Sequence, residues 1–307
     1  MCKTPKIICV TGGKGGTGKT LVAVNLATMF KNEGYKVLLL DGDSENPNTH
    51  LLLGKSLENK CYVKFFIPRI NEENCTRCGL CAKNCMPHAL LHIENSIPIP
   101  ILTVCSGCKL CYKICPESAI EQDFKIIGNI YEVPDQGLDL MVGELKTGEA
   151  RSAAIIEEMM ERLDSIMETE NQNYDIIIFD TAPGAHCDVE HLIEKADHVI
   201  PVTEPTRFGY LDLIRIIELI ELMGKDYRVI VNRSSLSGYK KQFMEDLKKD
   251  GIEILGEIPL DDEIVKSYCR GKPLMDQQGN FNTSGLGYRA FVKIYENLKE
   301  YLSIKNV

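Results

Sequence analysis

Eight of the thirteen cysteines lie in two short runs with the same spacing. Residues 75–85 read CTRCGLCAKNC and residues 105–115 read CSGCKLCYKIC, so each run follows C-x2-C-x2-C-x3-C. Thiolates at these intervals can bind the corners of a [4Fe–4S] cluster. Zinc is the alternative, because paired C-x2-C units also form tetrahedral sites. The third cysteine at the same interval favours iron and sulfide.

The two runs resemble those of bacterial two-cluster ferredoxins, in which the fourth cysteine of each run binds the cluster of the other run. They repeat at an offset of 30 residues, which predicts a pseudo-symmetric module with two sites. The second run ends in Cys115-Pro116, as in ferredoxins, whereas the first ends in Cys85-Met86-Pro87 without losing a ligand. The predicted ligands are Cys75, Cys78, Cys81 and Cys115 for cluster one, and Cys105, Cys108, Cys111 and Cys85 for cluster two.

A second chemical signature lies near the start of the chain. Residues 13–20 read GKGGTGKT and fit the phosphate-loop pattern G-x4-GK[ST] between an apolar strand and a helix. Glycines let successive N–H groups surround phosphate oxygens, while Lys19 neutralises the β- and γ-phosphates and the Thr20 hydroxyl binds Mg²⁺. The predicted ATP-binding residues of this loop are Gly13, Lys14, Gly15, Gly16, Thr17, Gly18, Lys19 and Thr20.

The additional lysine of this loop, Lys14, resembles the deviant Walker A motif of the MinD/ParA/nitrogenase-iron-protein group of P-loop ATPases. In that group the early lysine reaches the nucleotide of a partner subunit. The resemblance therefore implies an ATP-promoted homodimer, or a heterodimer with a paralogue, and a slow ATPase that depends on dimerisation. Lys14 and Lys19 are its predicted catalytic lysines, although Lys14 can also be interpreted as a solvated loop charge.

Two strand-end carboxylates resemble the switches of the same group. Asp41-Gly42-Asp43 resembles switch I, and Asp43 is favoured as the carboxylate that orients the attacking water. Asp180 begins a D-x-x-x-G sequence that resembles switch II. Asp43 and Asp180 complete the predicted catalytic set, and Thr20, Asp43 and Asp180 form the predicted Mg²⁺ site. Taken singly, each aspartate can also be a strand-end cap.

The base of the nucleotide has its own predicted contacts. Asn232-Arg233 follows a strand and resembles the position at which the group reads adenine, where an amide can both donate and accept. Pro259 begins the loop 259–264, which is expected to close over the base. These three residues complete the predicted ATP site.

Apolar runs alternate with helical patterns over most of the chain. Such alternation predicts an α/β fold with a mostly parallel P-loop NTPase sheet and helices on both faces. The block 60–145 breaks this rhythm, and we interpret it as an inserted α+β ferredoxin-like domain with its clusters within 71–124. The ATPase domain then comprises 1–59 and 146–307. Predicted strands are 6–11, 36–41, 174–180, 198–203, 227–232 and 252–258, and predicted helices are 19–33, 151–168, 207–223, 238–250 and 285–302.

Cys187 is the isolated thiol with the most suggestive position, because it follows the segment that resembles switch II. Nitrogenase iron proteins also carry a cluster-binding cysteine downstream of switch II. No second cysteine lies near 145–160 to complete four ligands from two subunits. An unligated thiol is therefore the favoured interpretation.

Charge and hydropathy limit the partners. A formal net charge of −9 argues against binding nucleic acid through a basic surface. No apolar stretch approaches the roughly 20 residues that cross a bilayer, and the first residues lack a signal-peptide pattern. We therefore expect a cytoplasmic protein without nucleic acid or stable membrane anchoring.

Three functions are compatible with these motifs. The leading hypothesis couples nucleotide-dependent switching to electron transfer through two [4Fe–4S] clusters and an unidentified redox partner. The alternative is an ATP-dependent assembly or carrier protein that delivers a cluster or metal cofactor to an apo-protein. The third and weakest is a spatial organiser of the MinD/ParA type.

Overall fold

The computed structural model describes residues 4–168, 174–236, 238–276 and 282–304. The chain divides into two compact units. The larger comprises 1–61 and 129–307, and the smaller comprises 62–128.

The strands are β1 (Lys6–Thr11), β2 (Val37–Gly42), β3 (Lys60–Ile70), β4 (Leu90–Leu91), β5 (Ile99–Pro100), β6 (Ile120–Val133), β7 (Leu138–Leu145), β8 (Ile176–Thr181), β9 (His198–Thr203), β10 (Asp226–Tyr227), β11 (Val229–Val231) and β12 (Ile254–Glu257). The helices are α1 (Lys19–Asn32), α2 (Thr49–Leu52), α3 (Leu80–Lys83), α4 (Leu110–Ile114), α5 (Ser152–Glu168), α6 (Cys187–Lys195), α7 (Arg207–Leu222), α8 (Lys240–Lys249), α9 (Asp262–Arg270) and α10 (Leu286–Tyr301).

The larger unit is built on a parallel sheet with the strand order β12-β11-β9-β1-β8-β2-β7. Each neighbouring pair in this order is parallel. The central strands are buried along nearly their whole length, as expected where helices cover both faces. The predicted α/β fold is confirmed.

Side-chain alternation along β2 shows how the helices cover both faces. Val37 and Leu39 pack in a core that includes residues of α1 and α10. Gly42 points to the other face, because a Cβ there would lie 2.5 Å from Leu192 of α6 and 3.4 Å from Ile156 of α5. One layer thus contains α1 and α10 and the other contains α5 and α6.

The carboxyl ends of these strands position the candidate site. In a parallel sheet they meet at one edge, where α/β proteins bind their ligands. β1 leads into the glycine-rich loop and β2 leads into Asp43. Asp180 lies near the carboxyl end of β8. Residues that are far apart in sequence are therefore brought to the same edge.

The smaller unit has little regular structure. It contains α3, α4, the two-stranded sheet of β4 and β5, and the parts of β3 and β6 that lie within 62–128. One buried cluster consists of Cys81, Leu90 and Ile120, with four further side chains of the cysteine runs (Ala82, Cys85, Cys111 and Cys115) and Ile70 packed against it. Val63, Phe66 and Ile127 are buried as well. The cysteine runs therefore contribute to the interior of this unit together with residues of β3 and β6.

The compact unit is shorter than the predicted insertion of 60–145. β7 pairs in parallel with β2, for example Leu39 with Leu140, and so belongs to the main sheet. β3 and β6 carry the chain into and out of the smaller unit, since both cross its boundaries.

No helix in the described ranges is both long and apolar enough to cross a membrane.

Candidate functional site

The glycine-rich loop has a backbone that only small residues allow. Gly16 and Gly18 have φ values of 79° and 98°, and Gly18 caps the N-terminus of α1. A Cβ at Gly13 would lie 2.1 Å from the carbonyl oxygen of Asp212, and one at Gly18 would lie 2.3 Å from the amide nitrogen of Asn232. The loop is thus held between α7 and the segment after β11, with its N–H groups at a helix N-terminus, where an anion is stabilised.

Lys19 lies at the centre of this arrangement. Its side chain is buried, and Nζ donates to the backbone oxygen of Lys14 at 3.2 Å. Burial lowers the pKa of Lys19, whereas the charges of Asp180 and Asp43 raise it. The carboxylates thus oppose the loss of its proton, and Lys19 can offer a positive charge to phosphate.

Asp180 is a fully buried carboxyl group without a hydrogen bond to either oxygen. Burial and the adjacent Asp41 raise its pKa well above the usual range, against the lowering effects of Thr20 and Lys19. An unpaired buried carboxylate is costly unless a cation compensates it. Its place beside Lys19 and Thr20 fits a Mg²⁺ ion, and Asp43 supplies a second, half-buried carboxylate whose pKa is also raised by burial.

Asp41 has a different role from Asp43. Its Oδ2 accepts from the N–H groups of Asn48 and Thr49 at 2.9 Å each and from the Thr49 hydroxyl at 2.8 Å. Burial nevertheless raises the pKa of Asp41 to about 6. Asp41 therefore fixes the start of α2 and the loop that carries Asp43, while Asp43 itself faces the cleft.

Asn232 connects the phosphate loop to the base side of the site. Its Nδ2 donates to the Thr17 backbone oxygen at 2.7 Å, and its Oδ1 accepts from the N–H of Arg233 at 2.8 Å. Arg233 has a φ of 49°, which is unusual for a residue with a side chain. The Asn232 amide is thus partly committed to the protein backbone.

Most of the predicted nucleotide residues line one cleft of about 410 Å³. The structure adds residues that the sequence did not indicate, among them Leu52 of α2 and Val265 and Tyr268 of α9. The lining comprises the predicted Gly15, Gly16, Gly18, Lys19, Thr20, Asp43, Asn232, Arg233 and Pro259, then Leu260, Asp261 and Ile264 of the predicted loop 259–264, and in addition Leu21, Asn48, Leu52, Pro183, Val265 and Tyr268. Gly13, Lys14, Thr17 and Asp180 lie outside the lining.

Lys14 is paired with a residue that the sequence did not indicate. Its Nζ lies 3.2 Å from Oε1 of Glu204, a buried carboxylate whose Oε2 lies 3.0 Å from Arg233. Glu204 thus joins the phosphate loop to the base side. A single glutamate after a strand carries no motif, so only the fold could reveal this contact.

Comparison with known proteins agrees with this geometry. Residues 8–274 match the family described as the CobQ/CobB/MinD/ParA nucleotide binding domain. The chain belongs to this family. It is an ATP-binding, MinD/ParA-like ATPase.

Three relatives illustrate the similarity. An uncharacterized protein of Methanocaldococcus jannaschii is 36% identical over 272 residues, which cover 88% of this chain and 91% of that protein. A putative septum site-determining protein MinD of Mesostigma viride is 24% identical over 302 residues, covering 97% of this chain and 85% of that protein. The solved MinD of Pyrococcus horikoshii, complexed with Mg-ADP, has a TM-score of 0.60 at 20% identity and covers 98% of each chain.

The smaller unit of this MinD/ParA-like ATPase contains two cysteine-lined cavities. The two cavities are similar in size. The structure groups the cysteines into the same two sets as the ferredoxin pattern. Cys75, Cys78, Cys81 and Cys115 line the first cavity, and Cys85, Cys105, Cys108 and Cys111 line the second.

The chemistry of these cavities fits a cluster better than a single ion. Among the described residues, no group of three or more His, Cys, Asp or Glu side chains converges on one metal ion. The four cysteines of a cubane instead bind four different irons. Backbone N–H groups donate to sulfur within the unit, from Ala89 to Cys85 at 3.2 Å and from Ala119 to Cys115 at 3.3 Å. Burial raises the pKa of the Cys111 thiol to about 11.

Cys187 is the first residue of α6 in the larger unit, and its side chain is exposed. No described neighbour gives it a second ligand, so it remains a single surface thiol.

Proposed function

We propose that this ATPase couples nucleotide-dependent switching to one-electron transfer through two [4Fe–4S] clusters held by residues 62–128. The observation that carries the proposal is the division of eight cysteines between two cavities, four to each. Clusters of this type supply one-electron redox chemistry when bound. The thiolates of this chain hold them, and the surrounding backbone N–H groups stabilise the negative charge on sulfur.

In the nucleotide site, each predicted residue has a distinct task. Lys19 and the loop N–H groups bind the phosphates, while Thr20 and Asp180 hold Mg²⁺. Asp43 also belongs to the Mg²⁺ site and orients the attacking water. Asn232, Arg233 and Pro259 form the base side.

Chain connectivity supports the coupling. Asn48 and Leu52 line the cleft together with Asp43, and the chain enters the smaller unit at residue 62. A movement of the Asp43 loop on binding or losing the γ-phosphate therefore acts on the segment that leads into the cluster unit.

The returning strand is connected to the same loop. The backbone oxygen of Ser44 accepts from the N–H of Leu145 at 2.7 Å. Next to it on β7, Glu144 accepts from the Tyr131 hydroxyl at 2.7 Å and from the Asn129 amide at 2.9 Å. Tyr131 and Asn129 lie on β6, by which the chain leaves the smaller unit. Both strands that enter and leave this unit thus respond to one switch.

Anaerobic purification followed by iron and sulfide quantitation and EPR of the reduced protein tests this proposal. We expect two clusters per chain and a change in midpoint potential, or in electron-transfer rate to a dye, when Mg·ATP is added. Lys19→Ala should keep the iron content but lose this response. Cys81→Ser should lose iron but still bind nucleotide.

The outcomes distinguish the functions. Absence of iron, or identical potentials with and without Mg·ATP, contradicts the coupling. Rapid transfer of labelled iron to an apo-ferredoxin favours the cluster-carrier function instead.

The comparisons favour a second candidate, a spatial organiser of the MinD/ParA type, because relatives along nearly the whole chain carry the name of septum site-determining MinD. Such an organiser of this family works through an ATP-controlled dimer of the nucleotide domain. Sedimentation with anionic phosphatidylglycerol vesicles or with DNA at low salt, with and without Mg·ATP, tests it. ATP-dependent co-sedimentation supports this function, and its absence at low salt contradicts it.

A further inference from the structure

The smaller unit has an internal two-fold pseudo-symmetry that extends to its hydrogen bonds. The N–H of Asn71 donates to the oxygen of Ala119 at 2.8 Å, and the N–H of Ile101, 30 residues later, donates to the oxygen of Ala89 at 2.7 Å. The N–H···S bonds of Ala89 and Ala119 form a second pair at the same offset. The backbone hydrogen bonds around the two cavities are thus nearly equivalent.

The charges around the two cavities do not follow this symmetry. Lys109 lines the second cavity, whereas the equivalent residue of the first run is Gly79. Glu117 lines the first cavity, whereas its equivalent at the second is Pro87. The lining of one cavity therefore includes a lysine, and the lining of the other includes a glutamate.

The backbone conformation at Lys109 is unfavourable for a lysine, whereas glycine adopts it easily. Lys109 has a φ of 59° and Gly79 has a φ of 71°. This left-handed region favours glycine and costs energy for a residue with a side chain. A Cβ at Gly79 would lie 2.6 Å from the imidazole of His92, so the first run has no room for a lysine there. The second run has room for the Lys109 side chain, although its φ value is unfavourable for a lysine.

Charges beside a cluster set its reduction potential, because reduction adds a negative charge. A cation stabilises the reduced form and an anion destabilises it. Arg77 also belongs to the first run but does not line its cavity. Among the residues that line the two cavities, only Lys109 and Glu117 carry a charge, and their charges act in the same sense.

We propose that Lys109 raises the reduction potential of the cluster held by Cys85, Cys105, Cys108 and Cys111, so that the two clusters are not redox-equivalent. An electron from an external one-electron reductant then resides on this cluster. Glu117 disfavours reduction of the other cluster. This inference rests on the proposed binding of two clusters. Because Lys109 is exposed, salt screens its effect.

EPR-monitored redox titration of the loaded protein tests the inference. The wild type should show two midpoint potentials that approach each other as ionic strength rises. Lys109→Gly should lower the higher potential alone, without backbone cost since glycine suits this φ, and Lys109→Arg should leave both unchanged. Glu117→Gln should raise the lower potential alone.

The possible results distinguish this inference from the proposed function. Two clusters with one shared potential, or equal shifts in Lys109→Gly and Lys109→Arg, overturn this inference and leave the proposed function standing. A wild type without iron and sulfide overturns both.

Discussion

The two units build their sites in opposite ways. The larger unit gathers residues from the ends of distant strands on a sheet whose core is complete without ligand. The smaller unit places its cysteines in two local runs, and several of these cysteines belong to or pack against the buried cluster of Cys81, Leu90 and Ile120. Most of the large apolar side chains that are exposed in the described chain lie in residues 62–128.

This difference teaches where ligand binding and folding are coupled. In the larger unit, the fold holds Asp180 and Lys19 in a buried, charged arrangement before any ligand arrives. In the smaller unit, the cysteine runs themselves contribute to the buried interior. The proposed clusters would therefore supply part of its folding free energy.

The largest expected effect comes from removing iron. Anaerobic chelation should unfold residues 62–128, because their core contains the ligands themselves, while the larger unit stays folded. Hydrogen exchange followed by mass spectrometry should show complete loss of protection in the smaller unit alone. Nucleotide binding after chelation is the control. Equal protection with and without iron would mean that the smaller unit has an adequate core of its own.

Asp41 provides a pH test of the larger unit. Burial raises its pKa from 3.8 to about 6, against the opposing hydrogen bonds of Thr49. Between these values the folded chain holds a proton that the unfolded chain has released, so this group's contribution to the free energy of unfolding falls by up to about 3 kcal/mol as pH rises from about 4 to about 6. Urea unfolding of wild type and Asp41→Asn over this range measures it. Asp41→Asn should gain stability relative to wild type with rising pH, whereas parallel profiles would refute the assignment.

A substitution of Asp180 tests whether this ligand-binding residue lowers the free energy of unfolding of the larger unit. Asp180→Asn should raise the free energy of unfolding by about 2 kcal/mol, since burial and the adjacent Asp41 disfavour a charge at this position more than Thr20 and Lys19 favour it. It should also lower Mg²⁺-dependent ATP hydrolysis roughly 100-fold. Glu72→Gln, an exposed change in the smaller unit, should alter neither quantity. A destabilised Asp180→Asn protein would show that Asp180 has a structural partner.

The smallest expected effect concerns the ion pairs of Glu204 with Lys14 and Arg233, which stabilise the phosphate loop in the nucleotide-free protein. Glu204→Gln should destabilise the larger unit by about 1 kcal/mol, because Lys14 and Arg233 lose their shared carboxylate. Thermal unfolding of the nucleotide-free protein measures this. Glu245→Gln removes an exposed pair with Lys241 at 4.0 Å and should have no measurable effect. Equal shifts in the two variants would place Glu204 among ordinary surface charges.

Local patterns were predicted well and long-range ones were not. β1 and β9 have the predicted bounds, because their apolar runs and flanking glycines or prolines are local signals. The parallel pairing of β7 with β2 was missed, because pairing depends on partners about 100 residues away. α9 was also missed. Its sequence, DEIVKSYCR, has few apolar residues, and Ile264, Val265 and Tyr268 line the cleft rather than the core.

The sequence by itself determined the chemistry of this protein. The phosphate loop and the two cysteine runs are contiguous, and their function depends on spacing within a few residues. The tertiary structure alone decided which distant residues complete each site. Strand order and helix packing bring Glu204 to Lys14 and Arg233, and place Asn48 and α9 on the nucleotide cleft. The different residues that line the two cysteine cavities are likewise set by the folding of the cysteine runs. Contacts between distant segments are set by packing, which no local spacing encodes.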